Sequence, residues 1–463
     1  MAALSGTRRV PKLRGAPLVG SLRDIRRDYL GTISRAAQEI GGLARITAGP
    51  PGWRITVYSV SSPVLAAEIL GQPDRYRKNA PGYRELRGAL GENLLTSQDE
   101  AWRRQRRLVA HVFTARRVNG PYAEIMADEA QRLVARWEES ADQGAVLDAY
   151  PEMIEVTSKV IGRILFGADM GRVLPQLRRF RSINDELLRR AVRPHALPTW
   201  LPTTANRRLE ADLTALRGVV ADIIAARRGV PADQQQDNLL TLLLAAGGAA
   251  RVDDQLDDAE ITDQILLFLI AGFDTTAFTL ACTLVQLALA PSWQTRIRDE
   301  LSSELGGRAL GAADLARLPW SGRVVRECMR LYPPAHGMAR STATDEVLDG
   351  YLIPAGSWVE VSPWGVHHSP DVWTDPNTFD PSRFDVPSGQ PPGGHRYAWF
   401  PFGAGPRACI GMQLALLEVE IVLSTILQHF QVTTTLPSIP VHAAITLQPT
   451  GALPIQLARL QPA

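Results

Sequence analysis

The sequence predicts a mainly α fold with a minor β region. Two patterns and one change of pattern support this. Across 99–332 apolar residues recur at helical spacing with few breaks. Inside that span, 265–290 is apolar through more turns than a half-exposed helix needs, so it reads as a core helix. After Pro333-Pro334 the period shortens to two, in short runs such as Trp358-Val359-Glu360-Val361, separated by Pro, Gly and Asp.

Taken in order, 11–17 reads as an extended lead-in, and Tyr29–Ile40 as a helix closed by Gly41-Gly42. Ile55–Val60 reads as a strand, and Ser61-Ser62-Pro63 starts a helix over 64–70. The stretch 74–97 is expected to be a loop with a short helix. Helices are then expected at 99–113, 119–142, 150–166, 171–192, 206–228, 238–246, 258–290, 292–305 and 320–332. The prolines at 194, 198 and 202 break the series. A meander over 369–392 precedes a helix over 412–430 and closing strands. No repeat or low-complexity linker interrupts the chain, so one domain over 1–463 is expected.

The bulk numbers exclude several classes. With 45% hydrophobic residues there is ample material for a core, and a net charge of +2 does not argue for nucleic acid as a partner. Lysine occurs only at 12, 78 and 159 against 50 basic residues, which reads as a codon bias toward arginine. Cys282, Cys328 and Cys409 are too scattered for a disulfide framework or a paired-cysteine metal site, which fits a cytoplasmic protein. Residues 1–14 are polar and basic with no apolar segment behind them, so neither signal peptide nor membrane anchor is expected. The run 265–290 is long enough to cross a bilayer, but Asp274, Thr275, Thr276 and Gln286 interrupt it, and a carboxylate at mid-membrane is costly.

Four constellations carry chemistry. In Phe400-Pro401-Phe402-Gly403-Ala404-Gly405-Pro406-Arg407-Ala408-Cys409-Ile410-Gly411 a cysteine sits at the mouth of a helix, where free N–H groups and the helix dipole favour a thiolate. By itself the loop leaves a metal ligand, a nucleophile and a buried small hydrophobe open. Glu327 and Arg330 share a helix face at a spacing of three, and Arg383 downstream is placed to close an ionic triad with them. Ala271-Gly272-Phe273-Asp274-Thr275-Thr276 puts Gly272 and Thr275 in mid-helix, where both are unfavourable, which points to a groove and a hydroxyl being needed there. Trp102 and Arg106 lie one above the other at i,i+4 and present an indole N–H and a guanidinium to a common partner.

Together these resemble the cytochrome P450 family of haem-thiolate monooxygenases. The loop is similar to its Phe-x-x-Gly-x-Arg-x-Cys pattern at Phe402, Gly405, Arg407 and Cys409, and Glu327/Arg330 to its Glu-x-x-Arg. The segment Ala271 to Thr276 is similar to its oxygen-activation motif, and Trp102/Arg106 to its Trp-x-x-x-Arg. The resemblance runs from about Val10 to the end; its one small departure is Ser382, where many members carry an acidic residue before the phenylalanine-flanked arginine.

What the resemblance implies is specific. The fold holds haem b between the long central helix and the Cys409 loop, with Cys409 as axial thiolate ligand and Gly403 and Gly411 in its loop. Ala271 and Gly272 form the groove over the ring, and Trp102, Arg106, Arg340 and Arg407 hold the propionates. Thr275 and Asp274 serve oxygen activation and proton delivery, inserting one atom of O2 into a small apolar natural product. Electrons come from a ferredoxin, met by Arg103, Arg104 and Arg107, and the chain acts as a monomer. The expected pocket walls are 83–95, 188–201, Leu267, Ile270, Ala271, 335–338 and the terminal loop at Thr450-Gly451. Haem-thiolate coupling or isomerisation without oxygen insertion, and a non-catalytic haem sensor, are the alternatives.

Overall fold

The computed structural model describes residues 7–167, 201–231, 238–246, 256–387 and 389–460, with 179, 182, 183, 186 and 190 as isolated positions. The helix expected over 171–192 and nearly all of the pocket wall expected over 188–201 lie outside the described residues.

The N-terminal helices are α1 (Leu22–Arg27), α2 (Tyr29–Ile40), α3 (Pro63–Gly71), α4 (Pro81–Leu90) and α5 (Asp99–Ala110). Capping sets their ends. Asp28 accepts from the Gly31 N–H at the start of α2, and Ser62 does the same for Leu65 at the start of α3, with Pro63 in the first helical position. The short helix expected within 74–97 is the ten-residue α4, whose first turn Pro81 pre-sets and which Gly91 ends.

The larger helices follow as α6 (Ala123–Asp142), α7 (Ala149–Phe166), α8 (Thr204–Arg228), α9 (Leu239–Ala246), α10 (Asp258–Leu289), α11 (Pro291–Leu305), α12 (Pro319–Leu331), α13 (Pro363–His367) and α14 (Met412–His429). Helix α6 begins four residues later than its apolar period suggests. Pro121 lacks an N–H, and the chain passes through a wide turn over Val118–Tyr122 before settling into α-helical geometry.

Helix α10 is the axis of the fold. Its N-terminus carries a reciprocal cap: Asp257 accepts from the Glu260 N–H at 2.7 Å, and Glu260 accepts from the Asp257 N–H at 3.2 Å. Its most apolar window is 72% buried, so this helix, long and apolar enough to cross a membrane, is enclosed by protein. Helix α7 packs along it. A Cβ at Gly272 would lie 2.9 Å from Ile161 Cγ1, so this glycine permits the close approach of α7. The sequence reading assigned Gly272 to an oxygen groove alone; packing against Ile161 is a second and sufficient reason for it.

A five-stranded sheet flanks the helices. With β1 (Leu43–Ala48), β2 (Ile55–Val60), β3 (Tyr76–Arg77), β4 (Met338–Thr342) and β5 (Trp358–Val361), the strand order is β1-β2-β5-β4-β3. Strands β2 and β5 run parallel with Val57 opposite Trp358, while β4 and β5 are antiparallel with Ala339 opposite Glu360. A hairpin of β6 (Val441–Ala443) and β7 (Leu447–Pro449) closes over the cavity from the C-terminal side.

The ionic triad forms as expected. Arg330, with no exposed side-chain surface, donates Nε to Glu327 Oε2 at 2.7 Å and Nη2 to Oε1 at 2.8 Å. Its remaining donors reach the carbonyls of His367, Pro376 and Thr378 at 2.6–3.2 Å, and Arg383 Nε lies 3.4 Å from Glu327. One guanidinium thus ties α12 to α13 and to the meander that leads into the cysteine loop.

Candidate active site

The chain encloses a cavity of about 1080 Å³ between α10, the cysteine loop, α5 and the sheet. Every expected site residue except Asp274 lines it. The expected walls at Leu267, Ala271 and 335–338 are there too, and β6–β7 contributes Ala443, Ala444, Ile445 and Thr446 rather than Thr450-Gly451. Ile270 is not among the lining residues.

The cysteine loop is shaped by two positive-φ glycines, Gly403 at 70° and Gly405 at 69°. The Cys409 N–H donates to the Phe402 carbonyl at 2.9 Å, which turns the side chain toward the cavity just before α14 begins. Cys282 and Cys328 are buried in the helical core with their thiols pushed up, that of Cys328 to about 12, so neither is a ligand candidate. Cys409 is open to the cavity rather than to bulk water, and burial raises its thiol too, against the Gly411 N–H and the positive charge of Arg106, which lower it. The Gly411 N–H at the helix mouth thus acts in the expected direction, with burial opposing it. A metal facing the sulfur would displace the proton outright.

Cations gather at one edge of the cavity. Arg340 is 4% exposed and Lys78 is 8% exposed, and among the described residues neither they nor Arg106 and Arg407 form an ion pair. Burial, then Arg340 and Arg407, hold the Lys78 ammonium well below its usual value, and burial with Arg340 brings Arg407 down to about 10. Their few bonds are to carbonyls: Lys78 to Leu95 at 3.2 Å, Arg106 to Ala408 at 3.1 Å, Arg407 to Ser97 at 2.9 Å and Arg340 to Ala339 at 2.8 Å. Trp102 lines the cavity with Arg106 and also offers its ring face to Arg407 at 4.1 Å. Buried cations without a counter-anion require one. Haem brings two carboxylates, a sulfur-binding iron and a flat apolar body, and this donor set fits it. Lys78 was missed in the sequence, although as one of three lysines in an arginine-rich chain it stood out.

On the α10 side the Thr275 hydroxyl donates to the Ala271 carbonyl at 2.8 Å and borders the cavity. Its neighbour faces the other way. Asp274 Oδ1 lies 2.6 Å from the Tyr150 hydroxyl, and Oδ2 accepts from Gln448 Nε2 at 2.8 Å and Thr446 Oγ1 at 3.2 Å. Asp274 is thus held in a polar network behind the cavity wall, and only Thr446 belongs both to that network and to the lining. Nothing near Asp274 in sequence announces Tyr150, Thr446 or Gln448.

The basic face expected to meet a ferredoxin is smaller than the sequence suggested. Arg104 is turned onto Glu260 at the start of α10 and is withdrawn from docking. Arg103 contacts Asp74 at 3.5 Å and Glu100 at 3.4 Å with half its side chain exposed.

Comparison with known proteins agrees with this geometry. The sequence model of the cytochrome P450 family matches residues 10–453. Cyclooctat-9-en-7-ol 5-monooxygenase of Streptomyces melanosporofaciens is 32% identical over 84% of this chain and 82% of its own. Pentalenene oxygenase of Streptomyces avermitilis is 32% identical over 90% of each chain. The crystal structure of the haem domain of cytochrome P450DA superposes with a TM-score of 0.87 at 27% identity, covering 98% of this chain and 99% of that one. With a thiol loop beneath a long helix and buried cations at the cavity edge, the match over nearly the whole chain identifies it: the chain belongs to the cytochrome P450 family and is a haem-thiolate monooxygenase.

Proposed function

We propose that this protein inserts one oxygen atom from O2 into a terpenoid, by hydroxylation or epoxidation, in natural-product biosynthesis. The observation that carries the reading is the cavity: Thr275 in the middle of α10, with Thr276 and Thr279 further along it, lines an otherwise largely apolar wall, and Cys409 lines the same space. Two relatives named for oxidising the cyclic terpenoids cyclooctat-9-en-7-ol and pentalenene support the substrate class.

Bound haem would supply dioxygen activation, and Cys409 would be the thiolate that holds its iron. The chain's own residues do the rest. Lys78, Arg106, Arg340 and Arg407, which line the same cavity, would fix the ring through its carboxylates. Ala271 and Gly272 keep the helix surface low beside Thr275. The apolar lining excludes water, so protons arrive only where the chain places them. Thr275 Oγ1 offers a hydroxyl at the reacting position, and Asp274 supplies protons from behind through Thr446 Oγ1.

Electrons come from a ferredoxin and its reductase. Helix α5 puts Arg106 on the Ala408 carbonyl beside Cys409, so exposed Arg103 and Arg107 on the same helix present positive charge close to the ligand loop. The chain acts as a cytoplasmic monomer, one domain over 1–463.

Turnover of terpenoids with a surrogate ferredoxin and reductase tests the reading; product heavier by one oxygen atom is expected, whereas ligand binding without product would mark a haem sensor. Thr275→Ala is expected to retain haem and substrate binding while product per electron pair falls roughly tenfold or more and peroxide rises in its place. Unchanged coupling would remove Thr275 from the mechanism.

A further inference from the structure

The cavity extends past the cysteine loop along one face of the five-stranded sheet, beneath α1 and α2. Strand alternation puts Trp358 and Glu360 of β5 on that face, with Val57 of β2 and Ile46 of β1 beside them. This wall is largely apolar; Arg26 and the Trp358 indole, whose Nε1–H has no hydrogen-bond partner among the described residues, also line it, and polar side chains cluster at one place.

There, three polar side chains meet. The Tyr29 hydroxyl donates to Glu360 Oε1, and the Tyr29 ring stands edge-on to His336 with centroids 5.6 Å apart. Glu360 is 7% exposed and rests against Gly337, where a Cβ would lie 2.6 Å from Oε1, so position 337 leaves room for the carboxyl. Glu360 Oε2 has no partner among the described residues. His336 Nε2 lies 2.9 Å from the Ala444 carbonyl, which only accepts, so Nε2 carries the proton and Nδ1 is a bare acceptor. His336 is 9% exposed, lines the cavity, and its Nδ1 has no hydrogen-bond partner. An orphaned buried acceptor on a ligand cavity is costly when nothing fills it.

We propose that Tyr29, His336 and Glu360 form a recognition site for a hydroxyl group on an otherwise apolar substrate, with His336 Nδ1 or Glu360 Oε2 accepting the substrate O–H. The proposal rests on the terpenoid monooxygenase reading and narrows it to substrates that already carry an alcohol. A carboxylate brings no proton for the bare acceptor His336 Nδ1, so it suits the site less than a hydroxyl. An ammonium suits the pair less, because burial raises Glu360 and disfavours the anion that an ammonium needs. Burial likewise lowers His336, keeping its ring neutral and Nδ1 an acceptor. A hydrocarbon would leave both acceptors unpaired in a closed cavity, which selects against it. The reaction then follows a step that installs a hydroxyl, either water capture on cyclisation or an earlier oxygenation.

Spin-state titration of the holoenzyme with matched pairs tests this: cedrene against cedrol, kaurene against kaurenol, and adamantane against 1-adamantanol. In the unmodified protein the alcohols are expected to bind at least about tenfold more tightly than their hydrocarbons. His336→Phe, and the double variant Tyr29→Phe/Glu360→Leu, which removes both members of the bonded pair, are expected to bring that ratio close to one with hydrocarbon binding little changed. The ferrous-CO thiolate band confirms that each variant holds haem. A ratio near one in the unmodified protein, or one that survives in both variants, overturns the site. If hydrocarbons bind and alcohols are not preferred, the site fails while the terpenoid reading stands. If only the adamantane pair binds, with the alcohol preferred, the site stands and the terpenoid reading fails; if no ligand perturbs the haem, both fall.

Discussion

Replacing Cys409 by alanine is expected to remove the ferrous-CO thiolate band and to lower turnover by more than about a hundredfold, beyond what losing an outer partner of a metal ligand costs. The other two cysteines cannot substitute. Both lie buried in the helical core, away from the cavity, with raised thiols. A thiolate band persisting in Cys409→Ala would refute the ligand assignment. The raised Cys409 thiol adds a pH dependence. Its proton is retained in the haem-free protein and must leave on ligation, so haem capture releases a proton and strengthens as pH rises toward the raised value. Apparent haem affinity measured at pH 6 and pH 8 checks the sign: tighter binding at pH 8 is expected.

Arg330→Ala is expected to have the largest effect on stability, on the order of 3–5 kcal/mol, because it leaves a buried carboxylate uncompensated. Glu327 would keep only the Asp380 N–H at 2.9 Å and the more distant Arg383 at 3.4 Å. Three carbonyls, those of His367, Pro376 and Thr378, would lose their donor at the same time. Since these lie in the segment leading into the cysteine loop, haem content should fall together with the thermal midpoint. Arg330→Lys is expected to rescue little, because an ammonium cannot bridge both carboxylate oxygens and the carbonyls with one planar fork. Haem content and a thermal midpoint equal to the unmodified protein would show that the triad is not what holds this segment.

The positions of the elements were legible because their causes are local. Helix α10 differs by one residue from the expected 258–290, since its cap at Asp257 and its apolar run are contiguous in sequence. Where local signals conflicted, geometry decided: Pro121 delayed α6, whereas Pro81 and Gly91 bounded the short helix expected within 74–97. The Arg104–Glu260 pair shows the limit from the other side, since an arginine that reads as surface charge is consumed by a helix 156 residues away.

By itself the sequence determined the fold class, the cysteine loop and the α10 motif, because each is a run of residues whose spacing dictates its own shape. Only the tertiary structure decided what those runs face. It brought Lys78 to the arginines of the cavity edge and placed Asp274 behind the wall with Tyr150, Thr446 and Gln448, 124 to 174 residues distant. It also joined Tyr29 to Glu360 across 331 residues. Contacts of that range are set by how helices and sheet pack around a shared cavity, and the periodicity of one segment carries no record of its partner in another.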